Sequence, residues 1–327
     1  MIPTKKDLNI VFMGTPDFAV APLDALLKNG YNISAVITSP DKQAGRGLKQ
    51  SMSSVKKFTL EHNLHILQPT NLKAPEFIEE LKAFNPDLQI VVAFRMLPEL
   101  IWKLPPFGTF NLHASLLPQY RGAAPINWAI MNGETETGVT TFFINENIDT
   151  GNIIMAEKVE ILPAESAGEL HDKLMDCGAK LIIKTVNAIL ENNINVVSQD
   201  VITSSNTNLK LAPKLFKEDC RINWNNNADK VFNHIRGLSP YPAAYTDLIS
   251  PEGDSYYTKI FRCSKEITRH HFSTGQIITD SNTHLSIAVI DGLIHLQELQ
   301  ISSKKKMPVS EFLRGFRINN DWKTNLA

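Results

Sequence analysis

The stretch LNIVFMGTPDFAVAPLDALLKNGYNISAVITSP, residues 8–40, decides the fold of the first part of the chain. It begins with the apolar run LNIVFMG, continues with the helix-like pattern FAVAPLDALLKNG, and ends with a second apolar run, NISAVITSP. Two such runs around one helical pattern predict parallel strands joined by a crossover helix, because parallel strands need a long connection. Helices then cover both faces of the sheet.

The same alternation returns further along the chain. The helix-like FIEELKAFNP, residues 77–86, precedes the strand-like LQIVVAF, residues 88–94. FGTFNLH, residues 107–113, precedes the helix-like APINWAIMNGE, residues 124–134. This repetition predicts an α/β domain with a Rossmann-like, mostly parallel sheet. Ligands bind such sheets beyond the carboxyl ends of the strands, so we expect the functional site there.

The remainder of the chain has a different pattern. A long helical pattern, AGELHDKLMDCGAKLIIKTVNAILEN, gives way to the polar stretch NNINVVSQDVITSSNTNLKLAP, residues 192–213, which has the composition of a linker. Short strand-like runs such as AAYTDLI, SYYTKIFRC and LIHLQELQI follow, separated by turn residues. They predict a small barrel or sandwich. We therefore divide the 327 residues into a domain over 1–206 and a second domain over 207–327.

Composition and motif spacing exclude several classes of protein. No run approaches the roughly 20 apolar residues of a membrane helix, and MIPTKKDLNIVFMG has no signal-peptide core, so we expect a cytoplasmic protein with no membrane partner. The three cysteines are widely spaced and the histidines form no ligand pattern, which predicts free thiols and no metal site. The first strand lacks G-x-G-x-x-G, QAGRGLKQ lacks the phosphate-loop spacing, and no G-x-S-x-G surrounds Ser115. NAD binding, ATP hydrolysis by that loop, and serine acylation are therefore not expected.

Asn111 and His113 stand where the apolar run ending at Leu112 breaks into polar, turn-forming residues. Alternate side chains of a strand share a face, so these two side chains should project together at a strand end. An amide and an imidazole on one face can hold a small polar group between them, as an oxyanion site does. A lone Asn-x-His pair is also common in turns that bond their own backbone.

The surrounding residues resemble a known family. FNLHASLLPQYRGAAPINWAIMNGE followed by TGVTTFFINENIDTGNII resembles the 10-formyltetrahydrofolate-dependent formyltransferases, which carry Asn-x-His-x-Ser-Leu-Leu-Pro with Asp-x-Gly downstream. The resemblance extends over nearly the whole chain, through VFMGTPDFAVAPLDAL, SPDKQAGRGLK and IRGLSPYPAAYT. It is greatest to members that act on initiator methionyl-tRNA, since the members that act on glycinamide ribonucleotide lack such a second domain. An OB-like barrel is therefore implied for the second domain.

The resemblance implies that Asn111, His113 and Asp149 are the catalytic residues. Formyl transfer from a folate nitrogen to an amine passes through a tetrahedral intermediate with a negative oxygen, so it needs an oxyanion donor and a proton carrier. Asn111 supplies an amide N–H, and His113 supplies a donor or, when protonated, a cation. Asp149 follows the apolar run VTTFFINENI, which predicts another strand end, where its carboxylate would pair with the imidazole or relay protons.

The resemblance also implies a pocket for 10-formyltetrahydrofolate, the formyl donor, beside these residues. The sequence departs from a common family form at Phe94-Arg95, where that form has Tyr-Gly, and Arg95 is equally well read as a solvated loop residue. Ser115 and Pro118 are expected to shape the turn. The residues expected near the folate are Phe94, Arg95, Met96, Leu97, Ser115, Leu116, Leu117, Pro118, Glu146 and Asn147.

Two basic segments are candidates for binding tRNA. Lys42, Arg46 and Lys49 lie in a glycine-containing segment that matches the family's tRNA-contacting loop, although without the family a disordered, solvated loop is the better interpretation. In the second domain, Lys304, Lys305 and Lys306 form either a phosphate-facing patch or a solvated charge run. We expect a monomer that binds initiator methionyl-tRNA.

Two other functions remain open from the sequence. One is hydrolysis, or formyl transfer to another amine, on the same folate-binding core; the basic second domain argues against it. The other is a tRNA-binding module without catalysis, which leaves the coexistence of Asn111, His113 and Asp149 unexplained. A formyl-transfer assay with charged initiator tRNA separates the three functions.

Overall fold

The computed structural model of the chain describes residues 4–44, 49–203 and 208–325. The chain divides into two compact units. The first unit contains residues 1–122, 137–159 and 171–211, and the second unit contains residues 123–136, 160–170 and 212–327. Two short segments that precede residue 171 thus belong to the second unit, whereas a single boundary after residue 206 assigns them to the first domain.

The strands in chain order are β1 Ile10–Gly14, β2 Ile33–Ile37, β3 Lys42–Ala44, β4 Lys49–Ser51, β5 Ile66–Leu67, β6 Leu88–Val92, β7 Thr109–His113, β8 Arg121–Gly122, β9 Glu136–Phe143, β10 Ile153–Glu160, β11 Leu211–Ala212, β12 Ala244–Ile249, β13 Ser255–Ile267, β14 Ile277–Thr279, β15 Leu285–Val289, β16 Gly292–Ile301, β17 Met307–Pro308 and β18 Lys323–Thr324. The α-helices are α1 Val20–Lys28, α2 Ser54–Glu61, α3 Pro75–Ala83, α4 Glu99–Trp102, α5 Pro125–Met131, α6 Ala167–Leu190, α7 Gln199–Thr203, α8 Ala228–Gly237 and α9 Val309–Gly315. Asp17–Ala19 and Glu218–Cys220 form short 3₁₀ helices.

The first unit contains a sheet with strand order β10-β9-β7-β6-β1-β2-β5. β5, β2, β1, β6 and β7 are parallel, and β9 runs antiparallel to β7. The runs IVFMG and LQIVV of β1 and β6 are buried at every position, as expected for strands covered on both faces. The predicted Rossmann-like sheet is therefore confirmed. The strand order reverses between β1 and β6, so the topological switch point lies between these two strands, and β7 is the next strand beyond β6.

The second unit contains an antiparallel sheet with strand order β14-β15-β16-β13-β12-β18. The long strand β13 changes register against β16 near Ile260 and Arg262, which lets it bend. A bridge from Gln276, just before β14, to Lys323 of β18 nearly closes the sheet into a barrel. Trp224 is fully buried in its apolar core with Ile260 and Leu299. The small barrel predicted for this part of the chain is confirmed.

The polar stretch 192–213 is more ordered, in its described residues, than a flexible linker. Val197 pairs with Ile153 through two backbone hydrogen bonds of 2.8 and 2.9 Å. The short helix α7 follows directly, and the backbone of Lys210 bonds that of Tyr120. The interpretation of this stretch as a simple linker is wrong, because these bonds attach it to the sheet and the loops of the first unit.

No helix in the described ranges is long and apolar enough to cross a membrane. The longest, α6, has 24 residues, but charged side chains occur along its length.

The glycine-containing basic segment begins and ends in the antiparallel pair of β3 and β4. Lys42 and Lys49 lie on these strands, with side chains outside the described part, and Arg46 itself lies outside the described residues.

Candidate active site

Asn111 and His113 are carried by β7 near the middle of the sheet. Asn111 is opposite Val91 of β6 and Phe142 of β9, so hydrogen-bonded strands hold its backbone on both sides. Phe110 and Leu112, which alternate with the two polar residues, are buried. Because alternate residues share a face, Asn111 and His113 project together from the carboxyl end of β7.

The hydrogen bonds of His113 determine which ring nitrogen carries a proton. Its side chain is 7% exposed, and Nε2 lies 2.8 Å from the carbonyl oxygen of Tyr120. A carbonyl oxygen can only accept a hydrogen bond, so Nε2 carries the hydrogen in the neutral ring. Nδ1 therefore keeps its lone pair and is available to accept a proton.

Asp149 lies in the loop between β9 and β10. The prediction that it ends a strand is wrong, because β9 ends at Phe143. Its Oδ2 accepts a 2.9 Å hydrogen bond from the backbone N–H of Gly122 and lies 3.8 Å from Nδ1 of His113. That separation is too long for a direct hydrogen bond. The carboxylate can still stabilise a positive charge on the ring.

The loop that carries Asp149 has an unusual backbone. Asp149 has φ +54°, in the left-handed region that few side chains adopt. A Cβ on Gly151 would lie 1.6 Å from the carbonyl oxygen of Phe143, so only glycine fits there. Oδ1 of Asn145 accepts bonds from the backbone of Asn147 and the hydroxyl of Thr150, which shape the same loop. The Asp-Thr-Gly sequence thus forms a turn whose backbone conformation is fixed by these contacts.

The side chain of Asn111 has a buried oxygen, Oδ1, with no hydrogen-bond partner among the described residues. A buried polar atom without a partner is costly, and a binding or catalytic role is one explanation for its presence in a native protein. The amide has two N–H donors and one acceptor oxygen. It can therefore donate to an oxyanion and accept from an amine at the same strand end.

The turn after β7 is built by its own side chains. The hydroxyl of Ser115 donates to the carbonyl oxygen of Gln119 at 2.6 Å, and the Ser115 carbonyl accepts from Thr140. Leu117 packs in an apolar cluster with Phe142 and Ile153, and Pro118 is buried beside it. Leu116 remains partly exposed.

Residues 94–97 follow β6 at the same edge of the sheet. Arg95 donates from its guanidinium to the carbonyl oxygens of Pro69 and Thr70, and burial lowers its pKa. Phe94 lies against this guanidinium and is partly buried, while Leu97 is buried in the core. Met96 is 67% exposed. Arg95 therefore has structural partners, unlike a freely solvated loop residue.

Glu146 and Asn147 are exposed in the loop that precedes Asp149.

The basic run of the second unit, Lys304 to Lys306, is also exposed and lies in the turn between β16 and β17. Within that run, the ammonium of Lys306 pairs with Glu298 at 2.8 Å and lies over the ring of Phe261. Lys304 and Lys305 have no ion pair within the described residues.

The sequence did not point to several residues that hold this site. Tyr120, Arg121 and Gly122 follow the recognised motif, and Gln199 lies 50 residues beyond Asp149 in the polar stretch. Periodicity and motif spacing contain no signal for such contacts, since they join side chains to groups of other segments that are distant in sequence. Cys177, Cys220 and Cys263 are free thiols, and the described residues form no group of three potential metal ligands.

Comparisons with known proteins give close relatives over the whole chain. A protein of Bacteroides thetaiotaomicron named methionyl-tRNA formyltransferase is 51% identical over 321 residues, which are 98% of this chain and 99% of the relative. A protein of the same name from Flavobacterium johnsoniae is 49% identical over 97% of this chain and 98% of its own length.

A solved structure shares the fold. The crystal structure of WlaRD, a sugar 3N-formyl transferase in the presence of dTDP and 5-N-formyl-THF, matches with a TM-score of 0.64 over 91% of this chain and 99% of its own. Its sequence is 22% identical. The family model "Formyl transferase" matches residues 8–186, and the model "Formyl transferase, C-terminal domain" matches residues 214–317. The strand-end site and these matches together establish that the chain belongs to the formyl transferase family.

Proposed function

We propose that this chain transfers the formyl group of 10-formyltetrahydrofolate to the free amino group of methionyl-tRNA, giving N-formylmethionyl-tRNA. The observation that carries the proposal lies at the end of β7, where the buried Oδ1 of Asn111 has no hydrogen-bond partner among the described residues and Nδ1 of His113 is free to accept a proton. The acceptor is supported by relatives about half identical over nearly their whole length that are named methionyl-tRNA formyltransferase. A folate derivative as the donor is supported by the 5-N-formyl-THF named with the structure of WlaRD.

Asn111 stabilises the intermediate. The methionyl amine attacks the formyl carbon, and the electrons of the C=O bond move to oxygen. An amide N–H of Asn111 donates to that oxygen as its charge develops, while Oδ1 can accept from the attacking amine. Loss of one such donor typically costs about 3 kcal/mol of transition-state stabilisation.

His113 carries the proton. Nδ1 takes a proton from the attacking amine, and the imidazolium then donates it to N10 of the folate as the carbon–nitrogen bond breaks. The bond from Nε2 to the Tyr120 carbonyl keeps the ring oriented throughout. Asp149, 3.8 Å from Nδ1, stabilises the imidazolium between the two transfers.

The folate occupies the strand ends beside these residues. Phe94, Met96 and the exposed loop residues Glu146 and Asn147 offer side chains to it. Leu97, Leu117 and Ser115 are buried, so they contribute through their backbone or by shaping the pocket, as do Leu116 and Pro118. Arg95 holds the neighbouring loop through its carbonyl partners.

The tRNA is held by Lys42, Arg46 and Lys49 of the first unit and by the exposed lysines of the second unit, Lys304 and Lys305, with a smaller contribution from Lys306. Phosphates are their partners, because lysine and arginine side chains bind the nucleic-acid backbone through charge. We also propose that the enzyme acts in the cytoplasm, as a monomer, on initiator methionyl-tRNA.

A formyl-transfer assay tests the proposal. Purified protein is incubated with 10-formyltetrahydrofolate and one of four acceptors: charged initiator tRNA, charged elongator methionine tRNA, uncharged tRNA or free methionine. We expect N-formylmethionine to be recovered after hydrolysis of the charged initiator tRNA, with little from the others. Release of formate without transfer, or equal transfer to free methionine, would overturn the proposal.

A further inference from the structure

Gln199 is a buried side chain in a stretch that otherwise has the composition of a linker. It lies between the residues matched by the two family models and is the first residue of α7. Its side chain is 1% exposed, whereas the neighbouring Ser198 and Asp200 are not buried. A buried amide among surface residues must find hydrogen-bond partners inside the protein.

All the hydrogen-bonding capacity of this amide is used. Nε2 donates to the carbonyl oxygens of Asp149 at 3.0 Å and Gly151 at 2.8 Å. Oε1 accepts from Nε of Arg121 at 3.0 Å and from Nη2 at 2.6 Å. A primary amide has two N–H groups and two lone pairs, so no position is left over. A fully satisfied buried network of this kind is rigid.

These four bonds join the two segments that flank His113 and Asp149. The carbonyls of Asp149 and Gly151 belong to the turn that carries the carboxylate. Arg121 lies between Tyr120, whose carbonyl accepts from His113, and Gly122, whose N–H donates to Asp149. One side chain therefore sets the position of the Asp149 turn relative to the residues that orient the imidazole.

We infer that Gln199 is a positioning residue for formyl transfer, acting through Asp149 and Arg121. The inference rests on the function proposed above. Gln199 contacts the backbone of Asp149 and reaches neither reacting atom directly, so its loss lowers kcat and leaves the binding of both substrates nearly unchanged. The polar stretch is thus part of the catalytic machinery of the first unit.

The polar stretch has other attachments, so replacing Gln199 need not detach it. Val197 and Ile153 exchange two backbone hydrogen bonds. The backbone N–H of Lys210 donates to the side chain of Gln119, and its carbonyl accepts from Tyr120. These bonds do not involve the Gln199 amide, and they hold the segment in place on both sides of it.

The substitution Gln199→Glu separates the two hydrogen bonds that the side chain accepts from the two that it donates. A carboxylate still accepts both bonds from Arg121, but it cannot donate to the carbonyl oxygens of Asp149 and Gly151 and repels them. We expect kcat to fall by roughly 10-fold or more, with the KM of each substrate within about twofold of wild type. The control is Gln89→Met, which removes another buried glutamine, whose side-chain oxygen accepts a hydrogen bond from Thr109 at the start of β7. Its kcat should stay within about twofold of wild type.

A double-mutant cycle with Asp149→Asn distinguishes positioning from a general loss of stability. If Gln199 acts through the Asp149 carboxylate, Gln199→Glu should reduce kcat by less than about twofold in the Asp149→Asn background. Independent, multiplicative losses would overturn the inference. If Gln199→Glu does not fold, Arg121→Met removes the other half of the network and should show the same non-additivity.

The outcomes separate this inference from the proposed function. A wild-type protein that does not formylate methionyl-tRNA contradicts the proposed function. An active wild-type protein with a folded, equally active Gln199→Glu variant contradicts only the positioning role.

Discussion

The two sides of the site are built in different ways. Asn111 and His113 lie on β7, whose backbone is hydrogen-bonded to β6 and β9. Asp149 lies on a loop whose shape depends on a left-handed residue, a glycine where a Cβ would clash with a backbone carbonyl, and the amide of Gln199. Groups on a central strand are placed by the sheet as a whole, whereas a group on a loop is placed by a few individual bonds.

This difference predicts different effects on turnover for substitutions on β7 and in the Asp149 turn. A change at Asn111 or His113 removes a chemical group and leaves the strand in place. A change in the Asp149 turn moves a group that is still present. The first kind should lower turnover by roughly 100-fold or more in a folded protein, and the second should lower it by a smaller amount that depends on the displacement.

The largest effect is expected at the strand. Asn111→Asp replaces the N–H donor by a carboxylate, so the developing oxyanion would face a like charge, and kcat should fall by well over roughly 100-fold. Asn111→Ala removes the donor without adding charge and should cost roughly 100-fold. Steady-state kinetics with saturating substrates and circular dichroism measure the two effects. Turnover near the wild-type level in both variants would remove Asn111 from the mechanism.

The second-largest loss of kcat is expected when the charge of Asp149 is removed. Two unit charges 3.8 Å apart interact by about 1 to 4 kcal/mol, depending on the effective dielectric constant, so Asp149→Asn should lower kcat by roughly 10-fold or more. The pH dependence of kcat should also change, because the imidazolium loses its counter-charge. A pH–rate profile identical to wild type, with full activity, would make Asp149 a structural residue only.

A smaller effect is expected when the turn is displaced with its carboxylate intact. Gly151→Ala forces a Cβ against the carbonyl oxygen of Phe143, so the turn must shift, and kcat should fall by roughly 10-fold at unchanged tRNA KM. The matched control is Gly315→Ala, where a Cβ meets nothing within 4 Å. If both variants had wild-type kcat, the exact backbone conformation of the Asp149 turn would not matter for catalysis.

Binding of tRNA should respond separately from chemistry. Lys304→Ala with Lys305→Ala should raise the KM for methionyl-tRNA several-fold and flatten its salt dependence, because fewer counterions are released on binding. Lys306→Ala should do less, since Glu298 already pairs with that ammonium. Folate KM and tRNA KM measured at two salt concentrations provide the test. An increase confined to folate KM would mean that these lysines serve the other substrate.

The smallest effect concerns stability in the second unit. Burial lowers the pKa of His234 by more than the Cys220 backbone bond and the nearby Asp219 raise it. The unfolded chain, with a histidine pKa of about 6.5, then binds the proton more readily, so stability is present above about pH 6.5 and lost as pH falls below it.

His234→Gln should flatten that loss. Urea unfolding followed by tryptophan fluorescence reports mainly this unit, which contains Trp128, Trp224 and Trp322. kcat at pH 7.5 should be unchanged, which separates acid unfolding from the pH dependence of the site. An equally steep loss of stability in His234→Gln would show that another group is responsible.

The sequence predicted the parts of the molecule that depend on local pattern. The buried runs of β1 and β6 and the alternation that places Asn111 and His113 on one face follow from strand geometry. The position of Asp149 does not follow from strand geometry, because a left-handed turn after β9 has no periodic signal in the sequence. Gln199 was missed for the same reason: its partners are 48 to 78 residues away, and isolated polar residues in a polar stretch resemble a linker.

The most direct test of the account is the single-turnover rate of formyl transfer in His113→Ala. Wild-type and variant proteins, each saturated with 10-formyltetrahydrofolate, are mixed in excess with methionyl-tRNA, and N-formylmethionine is followed in time. We predict a loss of roughly 100-fold or more, with tRNA affinity within about twofold of wild type, because Nδ1 is the proposed proton acceptor. A folded His113→Ala protein that transfers the formyl group within about twofold of the wild-type rate would contradict the account.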